Sequence, residues 1–459
     1  MRVDPLKEFA LWMHRLLRKH GRVFDASALA HGDLEQRVLG TELPEDRDFI
    51  DAGFFGDPAR GRTAPAVLRV YARGGVEDAL AVVVNHERRV MQVNACSQVG
   101  TCFQYRVPTK RLPPSRRRSV RYCPVMPPAQ TMSAAVITAP GGPDVLQIQS
   151  RPIPHAGAGE ILVRVRGSAL NRADLIQRLG RYAPPAGVPQ DIPGLEFAGE
   201  VISAGPGATL WPAGSRVCGL VGGGAHAEYL VTHERAVAAV PESLSWEQAG
   251  AAPEACITAH DALLQADLRP GDSVLIHAVG SGVGLAGVQI ARQLGARVFG
   301  TARGAAKLDA AREVGLEDGV QPSDDPAWLA KAVNGWTNGR GIDVVIDLVG
   351  GDYLRLTVPL MALKGRIVVV GTLAGRESAL DLGLLLMKRL TVRGTVLRSR
   401  PLEERIAVAQ RFAREVMPWL ANGAVQMRVD RRFPLARIAA AQALLETNQT
   451  IGKVALTFE

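Results

Sequence analysis

The stretch VLIHAVGSGVGLAGVQIARQLGA, residues 274–296, constrains the fold more than any other part of the chain. Ser273 to Ala278 is an apolar run suited to a strand buried on both faces, and Val283 to Leu294 repeats its apolar residues at helical spacing. Between the two stand the glycines. The uncharged run Ser273 to Ala291 just reaches the roughly 18-residue length of a membrane span, but its glycines, His277 and Gln289 make it a poor one.

A strand that hands over to a helix through glycines presents a helix N-terminus, where first-turn N–H groups lack partners and the helix dipole is positive. Phosphate fits such a place. Gly282-Val283-Gly284-Leu285-Ala286-Gly287 reads G-x-G-x-x-G, and Arg297 to Thr301 supplies a second strand, completing a strand-helix-strand unit of about 30 residues. Gly280, Ser281, Gly282, Val283 and Gly284 are therefore the candidates to hold a dinucleotide. An NAD site usually places an Asp or Glu at the end of the second strand to hold the ribose 2′-hydroxyl. Here the chain reads GTARGAAKL: Arg303 and Lys307 occupy the region and the first carboxylate is Asp309, which favours NADP(H). Gly371 and Thr372 end a later strand and should face the same cofactor, because ligands bind at the carboxyl ends of strands in such sheets.

At 459 residues the chain is too long for one ordinary core and implies two or three domains. Its net charge of +9 hints at nucleic acid until it is divided. Residues 1–131 hold 21 Lys/Arg and 14 Asp/Glu, and the remaining residues hold 33 and 31, so the excess belongs to the first part. Much of it is one acid-free run, Arg106 to Arg121, whose Pro, Arg and Ser describe a solvated linker rather than a binding patch. Five cysteines show no C-x-x-C pair, which reads as reduced, cytoplasmic thiols. Cys256 reads as a buried small hydrophobe. The histidines form no metal-binding pair, and no G-x-S-x-G elbow occurs.

Along the chain, MSAAVITAPGGPDVLQIQSRPIP at Met132 looks like a fresh start: a strand, a Gly-Gly-Pro-Asp turn and another strand. From there to Val240, short strands alternate with turns as in an all-β, barrel-like module. From Trp246 to Leu397, strands and helices alternate as in a parallel sheet. A helical segment, Pro401 to Leu420, leads to a final strand, helix and strand. Upstream, PAVLRVYARGG and DALAVVVNHERRVMQV could pair as strands and Pro5 to Lys19 could form a helix, but no chemistry emerges from them. We expect an extension over 1–131 with a poorly ordered linker at 106–131, a catalytic domain over 132–255, a dinucleotide-binding domain over 256–399, and a return to the catalytic domain over 400–459. On this reading the functional protein begins at or near Met132 and the extension does not fold with it.

This order of modules, with SALNRADLIQRLGRYAPP (168–185), PGLEFAGEV (193–201), GGGAHAEY (222–229), AVGSGVGLAGVQIAR (278–292) and IGKVAL (451–456), resembles the medium-chain dehydrogenase/reductase superfamily. Its quinone oxidoreductases are the nearest branch, and the first segment is similar to the p53-inducible quinone reductase type. The resemblance covers Met132 to Glu459 and implies an α/β protein built of a GroES-like β-barrel module and a doubly wound parallel Rossmann sheet. Where zinc alcohol dehydrogenases of the superfamily hold catalytic zinc, this chain has Asn171 and Leu195, neither a useful zinc ligand. Alcohol oxidation loses its Lewis acid, whereas a quinone needs less help, because its product anion is delocalised. The resemblance thus implies zinc-independent hydride transfer from NADPH to a quinone by a homodimer. Asn171 and Tyr182 would line the slot beside the nicotinamide, Thr258 would lie near it, and Lys307 would point at the 2′-phosphate. Two alternatives remain: a reductase of α,β-unsaturated carbonyls or enoyl thioesters, and a non-catalytic dinucleotide sensor.

Overall fold

The computed structural model describes residues 131–458 throughout and, upstream of them, the backbone of five strands. Two compact units divide the chain at Cys123/Pro124. In the first unit, β1 (Ile50–Gly53), β2 (Val67–Tyr71), β3 (Glu77–Asn85), β4 (Val90–Cys96) and β5 (Cys102–Arg106) form one antiparallel meander in that order. Both segments read as candidate strands take part, with Val67 opposite Ala81 and Leu80 opposite Ala95. The expected helix over Pro5 to Lys19 and the linker between β5 and Thr131 lie outside the described residues.

The second unit opens on an antiparallel pair, β6 (Thr131–Ile137) and β7 (Leu146–Pro152), joined across the Gly-Gly-Pro-Asp turn. Next comes β8 (Glu160–Ala169), whose Ile161, Val163 and Val165 are buried at every second position, the mark of a strand with one face on a core. After α1 (Arg172–Arg178) follow β9 (Glu196–Ala204), β10 (Arg216–Leu220), β11 (Tyr229–His233) and β12 (Val237–Ala239). These build the barrel-like module.

Helix α2 (Trp246–Gln265) begins at Ser245, which forms a capping box with Gln248. It runs unbroken across the 255/256 division and presses on β8, where Gly167 and Gly250 leave no room for a Cβ. The parallel sheet then forms from β13 (Ser273–Ile276), α3 (Gly282–Gln293), β14 (Arg297–Thr301), α4 (Ala305–Glu313), β15 (Asp318–Val320), α5 (Trp328–Thr337), β16 (Ile342–Asp347), α6 (Asp352–Thr357), β17 (Met361–Val369), α7 (Leu382–Lys388) and β18 (Thr391–Gly394). Its strand order, β15-β14-β13-β16-β17-β18, reverses direction beside β13, which is the doubly wound Rossmann arrangement with its binding crevice at the switch point.

Helices α8 (Leu402–Glu415) and α9 (Met417–Ala421) carry the chain back to β19 (Val429–Pro434), α10 (Ile438–Glu446) and β20 (Lys453–Thr457). β20 pairs antiparallel with β8, setting Ala455 opposite Ala169, so the last strand completes the sheet that the first module began. This return decides the site, because it brings Lys453 beside Asn171. No helix among the described residues is long and apolar enough to cross a membrane.

Candidate active site

The glycine turn is built by close approach. A Cβ on Gly284 would lie 2.5 Å from Val279 O and 2.7 Å from Ala278 O, and one on Gly280 would lie 2.6 Å from Lys307 Cβ. Ala278, just past β13, takes a left-handed φ of 54°, a conformation that costs a residue with a Cβ about 1–2 kcal/mol. Ser281 caps α3 by accepting from Gly284 N (3.1 Å), and helix geometry leaves the N–H groups of Gly282 and Val283 for a ligand. From the other side, Gly452 N donates to Gly280 O (3.0 Å), so the C-terminal return also holds the turn. Behind it, the fully buried His277 ring bridges Thr301 Oγ1 (3.0 Å) and Thr357 Oγ1 (2.9 Å). Burial lowers this imidazole to about 4, so it ties β13, β14 and α6 together as a neutral ring.

Arg303 and Lys307, both expected from sequence, are joined by Arg172 at the start of α1, which was not. Lys307 Nζ donates to Asn448 O (2.6 Å) and Arg172 Nη2 to Asn448 Oδ1 (2.7 Å). Burial lowers the Lys307 ammonium from its ordinary value, with Arg303 and Arg172 adding repulsion. Arg172 is lowered likewise, by burial first and Arg303 second. Glu446 and Asp430 offset this only in part. Cations gathered against their own repulsion make an anion site.

Next to the turn lies a buried polar cluster. Lys453 Nζ donates to both Asn171 Oδ1 and Glu196 Oε1, each at 2.6 Å, and Asn171 Nδ2 donates to Glu196 Oε1 at 2.9 Å. Glu254 N donates to Glu196 Oε2 (2.8 Å), while Asp174 accepts from Asn171 N (2.7 Å) and Gly194 N (3.1 Å). Burial pushes the Glu196 carboxyl up and the Lys453 ammonium opposes it. The lysine stem passes so close to Gly282 that a side chain there would collide with it. Asn171 is thus committed to Lys453 and Glu196, which makes it an orienting group. Zinc does not fit these residues: Lys453 brings a positive charge that donates to both neighbouring oxygens, and Leu195 offers no donor at all.

Tyr182 and Arg398 form the opposite wall. The Arg398 guanidinium lies 4.8 Å over the Tyr182 ring and donates to Gly222 O (2.7 Å), Tyr182 O (3.2 Å) and Gln177 Oε1 (2.5 Å). Burial raises the Tyr182 phenol from its ordinary value, with Arg398 pulling it back. Thr258 sits one turn beyond Glu254 on α2, its hydroxyl 3.5 Å from Glu254 Oε1. Gly371 and Thr372 follow β17 at the carboxyl end of the parallel sheet, Gly371 close against Leu348 and Thr372 Cα close to Gly350. The structure therefore gathers Asn171, Thr258, Gly280, Ser281, Gly282, Val283, Gly284 and Lys307 around one crevice, with Arg303 beside Lys307. Lys453, Glu196, Glu254, Arg172 and Arg398 were not singled out from sequence. Glu254 had a signal, being an acid inside the small-residue run AGAAPEACITA. The signal for Lys453 was positional only.

Residues 157–242 match the family model of the alcohol dehydrogenase GroES-like domain, and residues 282–414 that of the zinc-binding dehydrogenases. A quinone oxidoreductase of Pseudomonas aeruginosa is 32% identical over 322 residues, covering 69% of this chain and 96% of that one. This chain belongs to the medium-chain dehydrogenase/reductase superfamily. Within the superfamily it falls on the quinone oxidoreductase branch. The polyketide synthase GfsB of Streptomyces halstedii is 32% identical over 332 residues, which cover 70% of this chain but span only 6% of the synthase. A mycobacterial protein solved in complex with NADPH superposes with a TM-score of 0.64 at 28% identity, covering 71% of this chain and 100% of that one. Nicotinamide dinucleotides are the cofactors of this superfamily, and the glycine cradle described above, which a Cβ would fill, fits one.

Proposed function

We propose that the chain is an NADPH-dependent quinone reductase that works without zinc. The observation that carries this reading is the pairing of a cation cluster, Arg172, Arg303 and Lys307, with a cleft whose one buried ammonium is already shared between Asn171 and Glu196. The cluster suits a 2′-phosphate. The cleft offers no strong electrophile for an alkoxide, so it suits an acceptor whose reduced form spreads its own charge.

When bound, the reduced nicotinamide supplies the hydride. The chain's own residues do the rest by placement. Gly282 and Val283 present N–H groups to the pyrophosphate, and Arg172, Arg303 and Lys307 hold the 2′-phosphate. Lys453 fixes Asn171 and backs the turn. Arg398 pins the Tyr182 loop so that the phenol faces the acceptor and bulk water is kept out. The apolar residues Leu382, Leu386 and Met387 lie exposed on α7, and β18 is an edge strand. We read that surface as the place where two copies pair, to be checked by light scattering. The free, buried thiols Cys218 and Cys256 support a cytoplasmic setting.

The test is oxidation of NADPH, with NADH in parallel, by the full chain offered a simple ortho-quinone and, separately, an α,β-unsaturated ketone. NADPH-selective turnover of the quinone without added zinc is the expected result, with selectivity falling by about tenfold or more when Lys307 and Arg172 are both replaced by alanine. Faster turnover of the enone would favour the second reading, a reductase of conjugated carbonyls or enoyl thioesters, which the polyketide synthase matches support. Tight NADPH binding with neither acceptor reduced would refute both and leave a dinucleotide sensor.

A further inference from the structure

Helix α2 brings into the cleft one acid, Glu254, that forms no ion pair with any cation among the described residues. Pro253 removes a rung of the helical ladder, and the next N–H, that of Glu254, donates to Glu196 (2.8 Å). Glu254 as a residue is half-buried, and Thr258 Oγ1 is the hydrogen-bond contact of its carboxyl. Five charged or titratable groups face it: Glu196 from β9, Asp174 from α1, Lys453 from β20, Tyr182 from the loop after α1, and Arg398 from the segment after β18. Both cations are taken. Lys453 binds Glu196 and Asn171, and Arg398 binds Gln177, two carbonyls and the Tyr182 ring. What reaches Glu254 most strongly is therefore the charge of Glu196, in a site that already disfavours a second carboxylate.

We propose that Glu254 is the acid that protonates the reduced acceptor. This rests on the reductase reading above. Hydride from the reduced dinucleotide carries two electrons and one hydrogen to the quinone or enone and leaves it as an anion. The O–H bond of the Glu254 carboxyl then breaks as a new O–H bond forms on the acceptor oxygen, and the carboxylate left behind takes a proton from water. Burial first and Glu196 second push this carboxyl up to about 7, so that it still holds a proton near neutrality. Tyr182, whose phenol is raised from its ordinary value, remains a hydrogen-bonding partner for the acceptor rather than the source of the proton.

The test compares the full-length wild type with E254Q and E254D in NADPH-dependent reduction of an enone and an ortho-quinone between pH 5 and 9. A parallel infrared titration follows the protonated-carboxyl stretch without acceptor. Wild-type turnover should fall as pH rises through about 7, where the infrared band should also disappear. E254Q should lose the band, run about 100-fold slower on the enone at low pH, and show no falling limb. E254D should keep a falling limb, moved to lower pH. An E254Q enzyme with the wild-type rate and profile, or a wild-type band that titrates at an ordinary glutamate value, would overturn the proposal while leaving the reductase reading intact. A wild type inert toward both acceptors would overturn the two together.

Discussion

Replacing Lys453 by methionine should destabilise the protein by about 3–5 kcal/mol, because it strands a carboxylate that has no access to water. Lys453 is 4% exposed and Glu196 0%, and their 2.6 Å pair is the one charge neutralisation that Glu196 has. Methionine keeps most of the lysine stem against Gly282, so the change removes charge with little volume. After it, Glu196 retains only the Asn171 amide and the Glu254 N–H, two neutral donors worth about 1 kcal/mol each. The double variant K453M/E196Q removes both charges, and a flip of the Asn171 amide can present its carbonyl to the new side chain. Its cost should therefore be far below the sum of the single costs, with a coupling of at least about 2 kcal/mol. Equilibrium urea unfolding of the four proteins of this cycle at pH 7, followed by tryptophan fluorescence, measures it. If K453M alone costs under about 1 kcal/mol, or the double variant costs the sum of the singles, then the lysine is not neutralising a buried glutamate and the account of the site's core is wrong.

Three further outcomes follow from the same geometry. G284A should weaken NADPH binding by about 100-fold in calorimetry, because its Cβ would meet the backbone oxygens of Val279 and Ala278 at 2.5 and 2.7 Å and neither can move aside. A278G should raise the melting temperature, relieving about 1 kcal/mol of left-handed strain at φ 54°; an unchanged or lower value would show that the turn is not strained there. Because Glu254 is raised from 4.5 to about 7 in the fold, the folded state holds its proton where the unfolded chain has released it, so stability on this account falls as pH climbs from about 4.5 to 7. E254Q should remove that part of the slope in a pH series of melting temperatures and be the more stable form above pH 7.

What sequence could reveal divides along physical lines. The turn, both strands of the cofactor unit and Lys307 follow from local rules: apolar periodicity, glycine placement and the absence of an acid before Asp309. The residues that sequence left unassigned act through long-range meetings. Lys453 sits 282 positions from Asn171, and IGKVAL reads as an ordinary strand until β20 docks on β8. Arg398 lies in TVLRSR, where an arginine reads as surface, and it is buried only because the segment after β18 reaches back to Gly222 and Gln177. Local pattern cannot report such partners, since nothing in either segment changes when the other is absent. Arg172 falls between: it stands inside a quoted motif, but its closeness to Arg303 depends on how α1 meets the loop after β14.

The charges of the crevice separate by sign, and that separation bears on the order of events. On the phosphate side Arg172, Arg303 and Lys307 repel one another in the free protein. On the acceptor side the Lys453 ammonium pairs with Glu196, and Glu254 feels Lys453 and Arg398 only through longer-range attraction. A ligand that brings phosphates to the first side removes the repulsion there, so part of its binding energy is the release of strain already present. At equal concentrations above both dissociation constants, NADPH should therefore raise the melting temperature more than NADH does, by an amount set by the logarithm of the ratio of those constants. At equal multiples of those constants, simple mass action predicts equal shifts. The acceptor side behaves oppositely: filling it with an apolar quinone removes water from the acids and tightens the hold of Glu254 on its proton. Cofactor first and acceptor second is thus the order in which each step prepares the next, and a quinone alone should bind weakly, the more so as pH rises above the point where Glu254 ionises.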